Sequence, residues 1–66
     1  MRIYVNGSEQ VLAEPKALAT LLEEMGLAGK RVAVEVNREI VPRTRHALHF
    51  VQDGDHVEVV QAIGGG

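Results

Sequence analysis

The chain has 66 residues, a formal net charge of −2 at pH 7, no cysteine and 45% hydrophobic residues. That length allows one domain with a thin core, and the lack of cysteine excludes disulfides, thiol nucleophiles and cysteine-ligated metal sites. The acidic balance argues against a general nucleic-acid binder, and neither a signal peptide nor an apolar run of roughly 20 residues is recognisable, so we expect a cytoplasmic protein without a membrane partner.

The first predicted element is a β-hairpin. Arg2–Val5 alternates polar and apolar side chains, which is typical of a half-buried strand. Asn6-Gly7 follows, and this pair favours a type I′ turn because both turn positions require a positive φ. The return strand is predicted to run through Glu9–Leu12.

A helical stretch is predicted to open at Pro15. Its apolar side chains recur at i, i+3, i+4 and i+7, which places them on one face: Leu18, Leu21, Leu22 and Met25. Gly26 fits the left-handed residue that ends a helix, with Leu27 folding back on Leu22 in a Schellman ending.

Two further strands follow the helix. Arg31–Val36 alternates valines with other residues and is predicted to be a strand. A turn at 37–39 leads into the short strand Ile40-Val41, which Pro42 stops.

The remainder of the chain is predicted to hold one more turn of helix and the last strand. Thr44 is expected to cap a helical turn over Arg45–Leu48. Asp53-Gly54 then turns the chain into the strand His56–Ile63. One helix against one face of a mixed sheet is an α+β roll. Its expected core is Ile3, Val5, Leu18, Leu21, Leu22, Val34, Leu48, Val57 and Val59.

Three consecutive glycines, 64–66, follow the apolar run Val57–Ile63. A glycine strip has no side chains and adopts backbone angles closed to other residues. If the chain stops at Gly66, the strip can thread its terminal carboxylate into a narrow active site of another protein. A frayed terminus or a cloning linker would have the same residues.

Four segments in this order, in a chain of this length ending on Gly-Gly, resemble the ThiS family of sulfur carriers. They are Ile3–Gly7, Leu21–Gly26, the run from Val34 to Arg43, and the stretch from Asp53 to Gly66. The resemblance implies a ubiquitin-like β-grasp domain over residues 1–63 and a flexible glycine tail over residues 64–66. The chain departs from the family at His46, where relatives often carry an aromatic residue, and at Ala17, where many have a better helix cap.

The resemblance also implies a chemistry for Gly66. An E1-like, ThiF-like enzyme would use ATP to adenylate the Gly66 carboxylate, and a persulfide on a sulfurtransferase or cysteine desulfurase would then attack it. The resulting thiocarboxylate would donate sulfur to a ThiG-like thiazole synthase in thiamine biosynthesis. The chain would thus be a protein co-substrate rather than an enzyme, with no bound cofactor or metal.

Four other residues are predicted to meet the partner enzymes. Gly64 and Gly65 would let the tail bend inside a channel, and Ile63 would stand at its root. Val60 shares a strand face with Glu58, away from the predicted core, so it is either a docking residue or an ordinary surface valine.

Alternative functions share the same features. The tail also suits the small subunit of molybdopterin synthase, a sulfur carrier of another pathway, or a modifier that forms isopeptide bonds with lysines. From a different class, an RNA- or protein-binding β-grasp module would use the basic patch of Arg43, Arg45 and His46 with Arg38 nearby, although few aromatic residues are available to stack bases.

His46, His49 and His56 lack a carboxylate at ligand spacing and are interpreted as surface histidines rather than metal ligands. Asp53 and Asp55 are interpreted as turn residues.

Overall fold

The computed structural model describes residues 1–61, in which five strands form one mixed sheet with a single α-helix packed on one face. The elements are β1 (Arg2–Val5), β2 (Ser8–Val11), α1 (Leu18–Glu24), β3 (Val32–Val36), β4 (Glu39–Val41), a 3-10 turn (Arg43–Arg45) and β5 (His56–Gln61). The strand order is β2-β1-β5-β3-β4, with β1 and β5 parallel and the other neighbours antiparallel. The predicted α+β class is confirmed.

The first hairpin turn has the type I′ geometry that its sequence predicts, and the second, predicted only as a turn, has the same geometry. Asn6 and Gly7 have φ values of 49° and 83°, and Asn37 and Arg38 have values of 52° and 70°. All four lie in the left-handed region, as a type I′ turn requires. The predicted return strand was placed one residue late, since β2 ends at Val11.

Helix α1 is shorter than predicted because tertiary contacts hold the residues before it in an extended conformation. Val51 N donates to Lys16 O at 2.9 Å, and Leu18 N donates to His49 O at 2.9 Å. Ala17 therefore lies in an isolated bridge with Phe50. The predicted helix start at Pro15 is wrong by three residues.

The helix ends as its sequence predicts. Gly26 has a φ of 77°, its N–H donates to Glu23 O at 3.0 Å, and Leu27 N donates to Leu22 O at 2.8 Å. These two bonds are those of a Schellman motif. Leu27 is half-buried against the core.

The core lies between α1 and the inner face of the sheet. It joins three helix residues to inward-facing strand residues: Leu18, Leu21, Leu22, Ile3, Val5, Val34, Val36, Val41, Val57 and Val59. Leu12 and Val51 complete it. Eight of the nine predicted core residues are confirmed.

Leu48 is the exception, because its side chain is 74% exposed. A single turn does follow Arg45, whose carbonyl accepts the Leu48 and His49 N–H groups at 3.0 Å each, but the predicted cap at Thr44 is wrong. Instead, a 3-10 turn that already contains Thr44 begins directly after Pro42. The chain reverses there, with Leu48 N donating to Arg45 O at 3.0 Å, and Val51 fills the interior in place of Leu48.

Candidate functional site

Strand β5 is the last element of the described chain, and the predicted glycine tail follows it in sequence. It lies between β1 and β3 in the sheet. Its first residue, His56, pairs with Tyr4, and its last, Gln61, pairs with Val32 at the opposite end of the sheet. The predicted site residues Ile63, Gly64, Gly65 and Gly66 follow it and lie outside the described residues, as does the boundary predicted between 63 and 64.

An asparagine side chain holds β5 beyond the point where β1 ends. Val57 O accepts the backbone N–H of Asn6 at 2.9 Å. The Asn6 Oδ1 accepts the Val59 N–H at 2.8 Å, and its Nδ2 donates to Val59 O at 3.2 Å. The amide side chain therefore continues the hydrogen bonding of the parallel β1–β5 pair after the β1 backbone has turned away.

A second asparagine holds the start of β5. Asn37 Oδ1 accepts the His56 N–H at 3.0 Å, Asn37 Nδ2 donates to Asp55 Oδ1 at 3.0 Å, and the Asn37 N–H donates to His56 O at 2.8 Å. Both clamping asparagines stand at the first left-handed position of a hairpin turn. The sequence marks them only as turn residues, and no local pattern reveals their long-range role.

Val60 lies on the outer face of the sheet, the face opposite α1, and is 63% exposed. Its cross-strand neighbour there is Ala33, and the next pair along the same two strands is Glu35 with Glu58. The predicted exposure of Val60 is confirmed. An apolar residue thus stands one position before Gln61, where the described domain ends.

The outer face carries further side chains around Val60 and Ala33. Ile40 on β4 is exposed and pairs with Glu35. The rings of Tyr4 and His56 stack with their centroids 4.7 Å apart. The face also carries Arg2, which is paired with Glu9, so it is a mixture of apolar, acidic and aromatic groups rather than a basic surface for nucleic acid.

His46 was predicted to lie on the surface, and this prediction is wrong. Its side chain is 5% exposed, and its Nε2 donates to Val41 O at 2.9 Å. The ring fills the interior directly after the 3-10 turn, where the turn directs it against β4. Arg43 and Arg45 are exposed, so the predicted basic patch contains arginines but not this histidine.

The two aspartates act in the turn before β5, as predicted. Asp53 Oδ1 accepts the Arg2 N–H at 2.7 Å, and Asp55 Oδ2 accepts the Gln52 N–H at 2.8 Å.

Within residues 1–61, no three His, Cys, Asp or Glu side chains lie close enough together to hold a metal ion. No helix in that same range has the length and apolar character needed to cross a bilayer.

The sequence model of the ThiS family matches residues 1–66, the whole chain. The chain belongs to the ThiS family. It is 36% identical to the sulfur carrier protein ThiS of Escherichia coli over 66 residues, which cover all of both chains. It is also 41% identical to the sulfur carrier protein ThiS of Thermus thermophilus over 64 residues, covering 97% of this chain and 98% of that one.

The fold agrees with this assignment. The crystal structure of the thiamine biosynthesis protein ThiS from Geobacter metallireducens superposes with a TM-score of 0.83 and 35% identity, covering all of both chains. The predicted ubiquitin-like β-grasp fold is confirmed. The chain is also 42% identical to a thiazole synthase of Paramagnetospirillum magneticum, but it spans only 20% of that protein's length.

Proposed function

We propose that this ThiS-family chain is a sulfur carrier of thiamine biosynthesis and that Gly66 carries the sulfur as a thiocarboxylate. The observation that carries the proposal is similarity from end to end, at 36% identity, to a protein named sulfur carrier protein ThiS. The chain would act as a co-substrate of its partners rather than as an enzyme. We expect it to work in the cytoplasm, where those partners would be found.

The proposed chemistry starts from the weak electrophilicity of a carboxylate. Attack of the Gly66 carboxylate on the α-phosphorus of ATP would form an acyl-adenylate and release pyrophosphate. A persulfide on a partner would attack the acyl carbon and expel AMP, since this chain has no cysteine of its own. Two-electron reduction of the resulting acyl disulfide by a thiol would leave the thiocarboxylate on Gly66.

Three partners follow from this sequence of steps. An E1-like, ThiF-like enzyme would adenylate the chain with ATP, and a sulfurtransferase or cysteine desulfurase would supply the persulfide. A ThiG-like thiazole synthase would accept the sulfur. The last partner is supported by two proteins named thiazole synthase that contain a segment similar to this whole chain, at 42% and 38% identity.

The activating enzyme would dock on the outer face of the sheet around Val60. The support is position: Val60 is exposed and stands on the strand that leads to Ile63 and the glycines. The Asn6 side chain fixes the backbone of Val59 immediately before it. Gly64 and Gly65 would then supply the backbone freedom with which the tail enters the active site.

Intact mass spectrometry of the chain purified from its native cells tests the proposal. We expect a fraction in which one oxygen is replaced by sulfur, located at Gly66 by fragmentation. The purified chain should also accept AMP from ATP in the presence of the activating enzyme. An unmodified Gly66 that refuses AMP would overturn the proposal, and attachment of the chain to lysines of other proteins would favour a protein modifier.

A further inference from the structure

A cavity of about 230 Å³ opens between α1, the loop after it and the 3-10 turn. It lies on the helix side of the sheet, away from Val60. Apolar side chains form most of its wall: Ala19, Leu22, Leu27, Val32 and Ala47. The buried His46 also contributes to the wall, and its ring is held there by the hydrogen bond to Val41 O.

The size of the cavity limits what it can hold. Sites for small-molecule ligands usually enclose about 300–1,000 Å³, so this cavity is too small for most metabolites. One leucine-sized side chain fits it better, since removing a buried leucine side chain leaves a cavity of about 150 Å³, and the inserted group is removed from water. The cavity therefore favours a side chain that projects from a partner protein.

Charged side chains at the opening of the cavity favour a particular charge on the partner residue that stands beside the inserted side chain. Lys30 and Arg43 both line the opening, together with one carboxylate, Glu23. The ion pairs found within residues 1–61 are Arg2–Glu9 and Lys16–Glu24, so neither cation of the opening is paired there. The three side chains give the opening a net charge of +1, which is complementary to an acidic residue.

Local backbone hydrogen bonds fix the turns that carry both cations. Lys30 N donates to Leu27 O at 3.0 Å directly after the Schellman ending, and His46 N donates to Arg43 O at 3.1 Å within the 3-10 turn. The two residues thus sit on turns fixed by their own backbone rather than on free loops. A site whose backbone is already fixed loses less entropy when a partner binds.

We propose that this cavity binds a segment of a partner protein that presents one leucine-sized apolar side chain beside an aspartate or glutamate. The apolar side chain fills the cavity and supplies most of the affinity. The carboxylate bonds to the Arg43 guanidinium, whose planar fork suits a carboxylate, with Lys30 adding charge. The site lies on the face of the sheet opposite Val60, and its test involves no step of the proposed sulfur chemistry.

The test is an NMR titration of the full ¹⁵N-labelled chain with the blocked peptide acetyl-Gly-Leu-Asp-Gly-amide. Saturable shifts should appear in the amides of Lys30, Val32, Arg43 and Ala47. Two matched peptides, one with lysine for aspartate and one with alanine for leucine, should produce much smaller shifts. Absent shifts, shifts elsewhere in the domain, or equal response to all three peptides would overturn the proposal.

Two arginines of the same 3-10 turn supply matched variants. Arg43 lines the cavity whereas Arg45 does not, and both are exposed. Arg43→Gln should weaken binding of the acidic peptide about threefold, as expected for loss of an exposed ion pair, while Arg45→Gln leaves it unchanged. Equal effects of the two substitutions would contradict the proposal. Binding of N-acetylleucine as tightly as the peptide would assign the cavity to a free small acid and likewise overturn it.

Discussion

Asn6 and Val59 are 53 residues apart in sequence, and the side chain of the first bonds to both backbone polar groups of the second. This pair joins the turn of the first hairpin to the strand that leads towards the glycines. Since β1 pairs with β5 only as far as Val57, the Asn6 amide takes over where backbone pairing stops. The last strand is thereby held on both sides, by Asn6 on one and by β3 on the other.

Replacing Asn6 should therefore destabilise the domain by two separable effects. Asn6→Gly removes both side-chain hydrogen bonds but tolerates the positive φ, and should lower the free energy of unfolding by about 1–2 kcal/mol. Asn6→Ala adds the strain of a left-handed alanine, about 1–2 kcal/mol more. Urea denaturation followed by circular dichroism measures both. Equal stability of the two variants would show that backbone strain plays no part.

Arg38 occupies a turn position that usually belongs to glycine. Its φ is 70°, while the matching position of the first hairpin holds Gly7 with a φ of 83°. Arg38→Gly should therefore raise the free energy of unfolding by about 1 kcal/mol, because the left-handed conformation strains a residue with a Cβ. Gly7→Ala is the reverse experiment and should lower it. A melting temperature that falls in Arg38→Gly would contradict this reasoning.

Two leucines that the sequence places together in the core should behave very differently. Leu21 is buried in α1, whereas Leu48 is 74% exposed after the 3-10 turn. Leu21→Ala should cost about 2–5 kcal/mol through the cavity it leaves, and Leu48→Ala should stay within about 0.5 kcal/mol of the parent. Thermal unfolding of the two variants side by side measures this difference. A large loss in Leu48→Ala would mean that this leucine packs against the domain.

Val60 should affect activation but not stability. Val60→Arg places a charge on the outer face near the end of β5, so adenylation by the activating enzyme should slow while the melting temperature stays nearly unchanged. Val11→Arg is the matched control, because Val11 is also exposed and lies on the same face, but on the edge strand β2, beyond β1. Unaltered adenylation of the Val60 variant, or equal slowing of both, would remove Val60 from the docking surface.

Gly65→Val should abolish loading at Gly66 without unfolding the domain. A branched side chain restricts the backbone angles that a tail needs to bend in a narrow channel, and the core found within residues 1–61 is unchanged by the substitution. Transfer of radiolabelled AMP from ATP measures loading, and the melting temperature serves as the check on folding. Adenylation at the parent rate would show that the channel does not require a glycine at this position.

Local patterns in the sequence predict most of the fold. Alternating valines mark the strands, the Asn6-Gly7 pair marks the first turn, and Gly26 marks the helix end, because each depends on the conformational preference of neighbouring residues. The family assignment likewise follows from the order of motifs along the chain. The exposure of Val60 was predictable too, since strand alternation separates it from Val57 and Val59.

Long-range contacts decided the parts of the fold that the local patterns do not predict. The helix begins at Leu18 because residues 49–51 pair with residues 16–18, and no sequence window near Pro15 contains that pairing. The same reversal of the chain buries Val51 and His46 and leaves Leu48 in solvent. The two hydrogen bonds between the Asn6 side chain and the Val59 backbone are also long-range contacts that no local pattern predicts. The amino-acid sequence alone determined which segments form strands and helix, whereas the tertiary structure decided which side chains between them face the core, since that depends on partners far away in the chain.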